Sequence, residues 1–178
     1  KMICIGLDSE YSKIPTRKKG FPIKDTQLSF NRNIVDATKD LVCAYKPNAA
    51  FYLRYGAEGL QTLLFTIQYI SHVAPDVPVI LDAKLADIGN TNLGYVEEAF
   101  KYLEADAITV HPYLGAEALE PFLARSDKGV FVLCRTSNPG SKEFQDLMVD
   151  VPQDEGQLFV GAGMRCVRVG SDGRYRYS

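Results

Sequence analysis

A chain of 178 residues, 46% hydrophobic and 24% charged, has the composition of one globular domain with a sizeable core, and two domains are not expected. Its formal net charge of -2 offers no basic field for a nucleic acid backbone, and Arg17-Lys18-Lys19, its longest run of like charge, reads as a solvated loop. No stretch approaches the roughly 18 apolar residues of a membrane span and no signal peptide is visible, so a cytoplasmic protein binding neither nucleic acid nor membrane is expected.

Short apolar runs rich in Val and Ile alternate with stretches of helical period, the pattern of repeated βα units around a parallel sheet. In chain order the spacing predicts a strand over 2–7, a helix over 27–40, a strand over 42–46 and a helix over 57–74. A strand over 77–84, a helix over 92–104, a strand over 107–111, a helix over 116–124 and a strand over 129–135 follow. The second helix is the clearest, with Leu60, Leu63, Leu64, Ile67 and Ile70 on one face. Strands this apolar are buried on both faces, as a barrel or a doubly wound sheet requires. Cys4, Cys43, Cys134 and Cys166 have no metal-ligand spacing, and the first three lie in apolar runs, so buried, unpaired thiols in a reducing compartment are expected.

Five such units use about 140 residues, and the rest of the chain is too short for three more of a barrel of roughly 200 to 250 residues. The expectation is one α/β domain over 1–178, and if it is a barrel it is a fragment or lacks internal residues after about residue 140. Residues 138–156 read as loop with a short helix, and 166–169 as a last strand.

Polar residues gather at the strand ends: Asp8, Lys46 with Asn48, Asp82 with Lys84, His111, and Arg135 with Ser137. The carboxyl ends of the strands are where both α/β architectures bind ligands. Alternation along a strand puts Asp82 and Lys84 on one face. At the end of an apolar strand the two charges need compensation, from each other and from Lys46 on the preceding strand, with Asp87 available as a second carboxylate. Such an array can be catalytic, or an ion-pair network that only orients loops.

The stretch VILDAKLADIGNTN, 79–92, resembles the D-x-K-x-x-D-I-x-N-T signature of the orotidine 5'-monophosphate decarboxylase family. CIGLD at 4–8, AYKPNAAFY at 44–52, YGAEGL at 55–60, TVHPYLG at 109–115 and RTSNPG at 135–140 extend the likeness in order, with the flavour of the longer bacterial subgroup. The resemblance implies a (β/α)8 TIM barrel, incomplete or with residues missing after about residue 140, and a cofactor-free carboxy-lyase of de novo pyrimidine biosynthesis that converts orotidine 5'-monophosphate to uridine 5'-monophosphate. It implies that Lys46, Asp82, Lys84 and Asp87 form the catalytic Lys-Asp-Lys-Asp array of a homodimer with shared sites. Asp87, with Ile88 and Thr91, would reach the site of the other subunit, Asp8 would bind a ribose hydroxyl, and Ser137 would contact the pyrimidine.

After residue 140 the likeness thins. Only Val160-Gly161-Ala162-Gly163 is similar to the family's phosphate loop, and Gly173-Arg174 to the Gly-Arg whose guanidinium holds the phosphate. Arg174 is accordingly a phosphate ligand or an exposed tail arginine. Asp8 has the alternative of capping a turn, and Ser137 of bonding backbone locally. His111 reads as a satisfied strand-end histidine, and His72 as structural. Two other activities stay open: a Mg2+-dependent sugar-phosphate decarboxylase or aldol-type synthase sharing the D-x-K-x-x-D, and a nucleotide-binding remnant without turnover. The sequence shows no motif for a pyridoxal, thiamine or metal electron sink, so Lys84 would stabilise and protonate the C6 carbanion.

Overall fold

The computed structural model describes residues 2–15, 21–143, 145–146, 167–169 and 175–177. Five parallel strands carry the fold: β1 (Cys4–Leu7), β2 (Ala44–Pro47), β3 (Ile80–Leu85), β4 (Ala107–Val110) and β5 (Gly129–Val132). β1 pairs with β2, and β3 with β4 and β4 with β5; parallel bridges at Tyr45–Val79 and Asn48–Asp82 join β2 to β3. Spatial order thus follows chain order. A doubly wound sheet reverses its order at a switch point, whereas a barrel lays each strand beside the last. Among the described residues the five strands thus have the order of a barrel, not that of a doubly wound sheet.

The connections are helical. α1 (Ile23–Thr38) links β1 to β2, and α2 (Ala50–Leu53) with α3 (Gly56–Val73) links β2 to β3. α4 (Gly89–Glu97), prolonged by a π-helical segment from Glu98 to Tyr102, leads to β4, and α5 (Ala116–Leu123) to β5. The four predicted helices are present with shifted ends. α2 was not expected, because four residues cannot show a helical period. α2 also explains Gly59, where a Cβ would lie 1.8 Å from the Tyr52 carbonyl oxygen, so only glycine lets α3 start this close.

Alternation sorts the strand residues. Leu7, Tyr45, Val79, Leu81, Ile108 and Val110 are buried and pack with Val35, Leu63, Ile67, Ile70, Phe100 and Phe122 of the helical layer. Burying each such side chain contributes roughly 1.5–3 kcal/mol. The opposite parity, including Lys46, Asp82 and Thr109, forms the inner face of the sheet. β1 and β5 are its lateral strands, and Phe131 and Val132 are exposed on β5.

Two expectations are corrected here. Cys4, Cys43 and Cys134 are free but exposed, because they sit at or just beyond strand ends, where apolar neighbours in sequence do not guarantee cover in space. The strand expected to be last, at 166–169, is β6 (Val167–Val169), but β7 (Tyr175–Tyr177) follows it and the two pair antiparallel as a ribbon apart from the parallel sheet. The short helix expected after residue 138 is a 3-10 turn over Pro139–Glu143. Arg17-Lys18-Lys19, Cys166 and the glycines at 161 and 163 lie outside the described residues. Among the described residues no helix is long and apolar enough to cross a membrane.

A buried polar network fastens the end of β1 to the helices. Asn31 donates to the Tyr52 hydroxyl at 2.9 Å and to Thr66 Oγ1 at 3.0 Å, and it accepts from Ser9 Oγ. The Tyr52 hydroxyl in turn donates to the Leu7 carbonyl at 2.9 Å, and Gln27 Nε2 donates to the Ser9 carbonyl at 2.7 Å. Burial pushes the Tyr52 hydroxyl up to about 12, outweighing its hydrogen bonds to Ser9 and Asn31, so it stays a neutral donor. Tyr52→Phe would strand a buried carbonyl and a buried amide, at a cost of about 1–3 kcal/mol. Its thermal midpoint is expected to fall by about 2–4 °C per kcal/mol lost, as calorimetry will show; an unchanged midpoint refutes the network's role.

Candidate active site

Three strands meet at one carboxylate. Asp82 of β3 is almost fully buried; its Oδ2 accepts from Lys46 Nζ of β2 at 2.8 Å and its Oδ1 from Lys84 Nζ at 2.5 Å. Thr109 of β4 donates its hydroxyl proton to the same Oδ1 at 2.9 Å. The Asp82 side chain is 7% exposed, while those of Lys46 and Lys84 are 33% and 46% exposed, so the ammonium groups rim an open face above a buried anion. The backbone is held as well, with the Asp82 carbonyl accepting the Ala49 N–H at 3.1 Å.

Asp82 and Lys84 converge as expected, but not by simple strand alternation. Leu81 pairs with Ile108 and Leu85 with Val110, so three residues of β3 face the single residue Thr109 of β4. This bulge puts Lys84 at φ +51°, a left-handed conformation that costs a non-glycine residue about 1–2 kcal/mol. The Lys84 N–H leaves the ladder and donates to Thr109 Oγ1 at 3.0 Å. Strain of this kind concentrates at functional sites.

Asp87 does not join the array of its own chain. Its Oδ1 accepts the Ile88 N–H at 2.6 Å, and among the described residues it forms no ion pair. Asn92, fully buried in the first turn of α4, clamps this loop. It donates to the Asp87 carbonyl at 2.6 Å and to the Ala118 carbonyl, and accepts the Asp87 N–H at 2.8 Å. Ile88 and Thr91 are exposed beside it, at the start of α4.

The other candidates lie around the same strand ends. Asp8 is exposed after β1, and its charge acts on Lys46. Ser137 is exposed on the loop after β5 and makes no hydrogen bond among the described residues. That loop is closed by a bidentate pair from Arg135 to Asp146, at 2.7 and 2.8 Å, which occupies the Arg135 guanidinium. His111 donates its backbone N–H to the Leu85 carbonyl, but its buried Nδ1 has no partner among the described residues, so it is not the satisfied histidine expected. His72 is exposed near the end of α3, and Arg174 lies outside the described residues.

Sequence reasoning missed Thr109 and Asn92. The signal for Thr109 was one polar residue of inward parity in the otherwise apolar Ala-Ile-Thr-Val of β4. Asn92 had no comparable signal, because its partner on α5 is 26 residues away.

Electrostatics keep the array charged. Burial pushes the Asp82 carboxyl upward, but hydrogen bonds from Lys46, Lys84 and Thr109 and the charge of Lys46 outweigh it and hold the group below the usual carboxylate range. Burial disfavours the Lys46 ammonium, and the hydrogen bond and charge of Asp82, with the charge of Asp8 behind it, raise it above the ordinary lysine value. The arrangement offers two fixed ammonium groups to an anionic or carbanionic ligand, one of them on a strained backbone.

The family model described as Orotidine 5'-phosphate decarboxylase / HUMPS family matches residues 1–169. The chain is 57% identical over 150 residues to the orotidine 5'-phosphate decarboxylase of Thermomicrobium roseum, covering 83% of this chain and 51% of that one. It is 48% identical over 149 residues to that of Cellvibrio japonicus, covering 84% of this chain and 54% of that one. Among solved structures it is similar to the OMP decarboxylase of Leishmania donovani, at 42% identity and a TM-score of 0.71, over 82% of this chain and 53% of that one. A second likeness is to an orotidine-monophosphate-decarboxylase structure from Toxoplasma gondii, at 40% identity and a TM-score of 0.75, over 83% and 48%. The chain spans about half the length of the relatives it matches.

Because its folded-state pKa is depressed, Asp82 contributes stability that is complete above the unfolded value of about 3.9 and is lost as pH falls through the folded value. Lys46, with a raised pKa, contributes fully below the unfolded value of about 10.4 and loses it as pH rises through the folded one. Asp82→Asn leaves two ammonium groups without their anion, so it is expected to unfold at lower urea concentration than the wild type near neutral pH. The difference should narrow only below about pH 4; narrowing that begins near pH 6 contradicts a carboxylate held ionised by its lysines.

Proposed function

Since the chain belongs to the orotidine 5'-phosphate decarboxylase / HUMPS family, we propose that it converts orotidine 5'-monophosphate to uridine 5'-monophosphate in de novo pyrimidine biosynthesis. The observation that carries this reading is the Lys46–Asp82–Lys84 array, one buried carboxylate between two ammonium groups at the carboxyl ends of adjacent strands. Departure of CO2 from C6 leaves a carbanion that the ring delocalises poorly. Lys84, on the open side of the array, places its ammonium beside C6, stabilises the developing charge and donates the proton that completes the product.

Magnitudes decide which effect dominates. Two like charges about 4 Å apart at an effective dielectric of 20 repel by roughly 4 kcal/mol. Rate enhancements in general need about 8 to 23 kcal/mol. Repulsion between Asp82 and the substrate carboxylate is therefore a minority contribution, reduced further by the two lysines. Stabilisation of the carbanion by a preorganised Lys84, with remote contacts holding the nucleotide, supplies the larger part. In this reading Asp8 binds a ribose hydroxyl, Ser137 the pyrimidine and Arg174 the phosphate. Asp87, Ile88 and Thr91 enter the site of a second subunit in a homodimer. The exposed Ile88 and Leu93 beside Asp87 support that last point, as an apolar surface next to a carboxylate that forms no ion pair among the described residues.

Lys84→Ala is expected to lower decarboxylation by at least about 10²–10⁴-fold while leaving a folded protein that binds uridine monophosphate. Near-normal turnover removes Lys84 from the proton-donor role. Activity unaffected by a chelator separates this reaction from a Mg2+-dependent sugar-phosphate decarboxylase. Mixing Lys84→Ala with Asp87→Ala subunits should restore activity, because in a mixed dimer both lesions fall in one site and leave the other intact. No recovery despite demonstrated subunit exchange counts against shared sites.

A further inference from the structure

We propose that Thr109 is a positioning residue of the array, its hydroxyl locking the Asp82 carboxylate and the Lys84 backbone into one arrangement. The proposal rests on the catalytic reading of that array. Thr109 is 8% exposed, and it stands alone opposite the three bulged residues of β3. A hydroxyl has one proton and two lone pairs. Here the proton goes to Asp82 Oδ1 at 2.9 Å and a lone pair takes the Lys84 N–H at 3.0 Å, so the two bonds fix each other's direction.

Each bond has a separate consequence. The bond to Asp82 sets the rotation of the carboxylate, leaving Oδ2 for Lys46 at 2.8 Å and a second direction on Oδ1 for Lys84 at 2.5 Å. The bond from Lys84 satisfies an amide that the bulge removes from the ladder, at a residue already strained to φ +51°. Without it, a poorly solvated N–H loses its partner and the bulge loses the contact that favours its left-handed turn. Serine in place of Thr109 keeps both bonds, and valine keeps the shape but neither bond.

The test compares Thr109→Val and Thr109→Ser in the full chain. Thr109→Val is expected to lower kcat by about 10- to 100-fold with KM changed by less than about threefold, and Thr109→Ser to stay within about threefold of wild type in both. A second readout is independent of turnover: the Asp82 carboxyl, followed by carbon-13 NMR, should titrate at higher pH in Thr109→Val and unchanged in Thr109→Ser. The charged groups bearing on that carboxyl are Lys46 from β2 and Lys84 from β3, with Asp8 after β1 acting through Lys46. Both variants retain these groups. If the wild type does not turn over orotidine 5'-monophosphate, the proposed function fails, and the titration alone then decides the role of Thr109. Wild-type kcat in Thr109→Val, equal damage in Thr109→Ser, or an unmoved Asp82 titration each overturns the proposal. Should Thr109→Val not fold, Thr109→Cys, with its weak S–H donor, is read by the same criteria.

Discussion

The buried carboxylate of Asp82 is the point on which the arrangement of the strand ends depends. An ionised carboxylate out of water is tolerated only if its charge and lone pairs are matched, and removing one partner of such a pair typically costs about 3–5 kcal/mol. Here the partners come from three strands: Lys46 from β2, Lys84 from β3 and Thr109 from β4. Strand register and charge compensation are therefore one constraint. A slip of one residue in any of these strands would turn its contributor toward the helices and leave the anion unpaired in the sheet.

The site also accepts local cost in return for geometry. Lys84 occupies a left-handed conformation within a bulge, where a regular strand would have kept its N–H in the ladder. What holds it is rigid and largely buried. Thr109 binds it from one side, and the outward face of the same strands is packed into an apolar core running from Leu7 to Phe122. A fixed ammonium needs no reorganisation when charge develops next to it, and that is the property a carbanion-stabilising group requires.

The loops after β1 and β3 are held largely by buried side-chain amides, and the loop after β5 by the Arg135–Asp146 ion pair. Asn92 satisfies both backbone groups of Asp87, and Asn31, Gln27 and Tyr52 secure the turn that follows β1 and carries Asp8. Such networks are strong where their members are satisfied, as Asn31 and Asn92 are, while Gln27 Oε1 is buried without a partner among the described residues. They give loop residues the precision of residues on strands. The exposed carboxylate of Asp8 and the half-buried one of Asp87 thus project from backbones that are themselves well fixed.

The sequence by itself determined the βα alternation, the identity of the charged residues at successive strand ends, and, through DAKLAD and its companion motifs, the family. These are local or periodic signals, because hydrophobic period reports secondary structure and a motif keeps its spacing along the chain. Periodicity alone left barrel and doubly wound order open, since order depends on which strands pair, and only the family likeness pointed to the barrel; the antiparallel pairing of β6 with β7 had no signal at all. The exposure of Cys4, Cys43 and Cys134, the bulge at Lys84, and the parts played by Thr109 and Asn92 were decided only by tertiary structure. Each depends on groups distant in sequence, Thr109 lying 27 residues from Asp82 and Asn92 lying 26 from Ala118, and a single sequence carries no term for a hydrogen bond that exists only once two strands or two helices have been laid side by side.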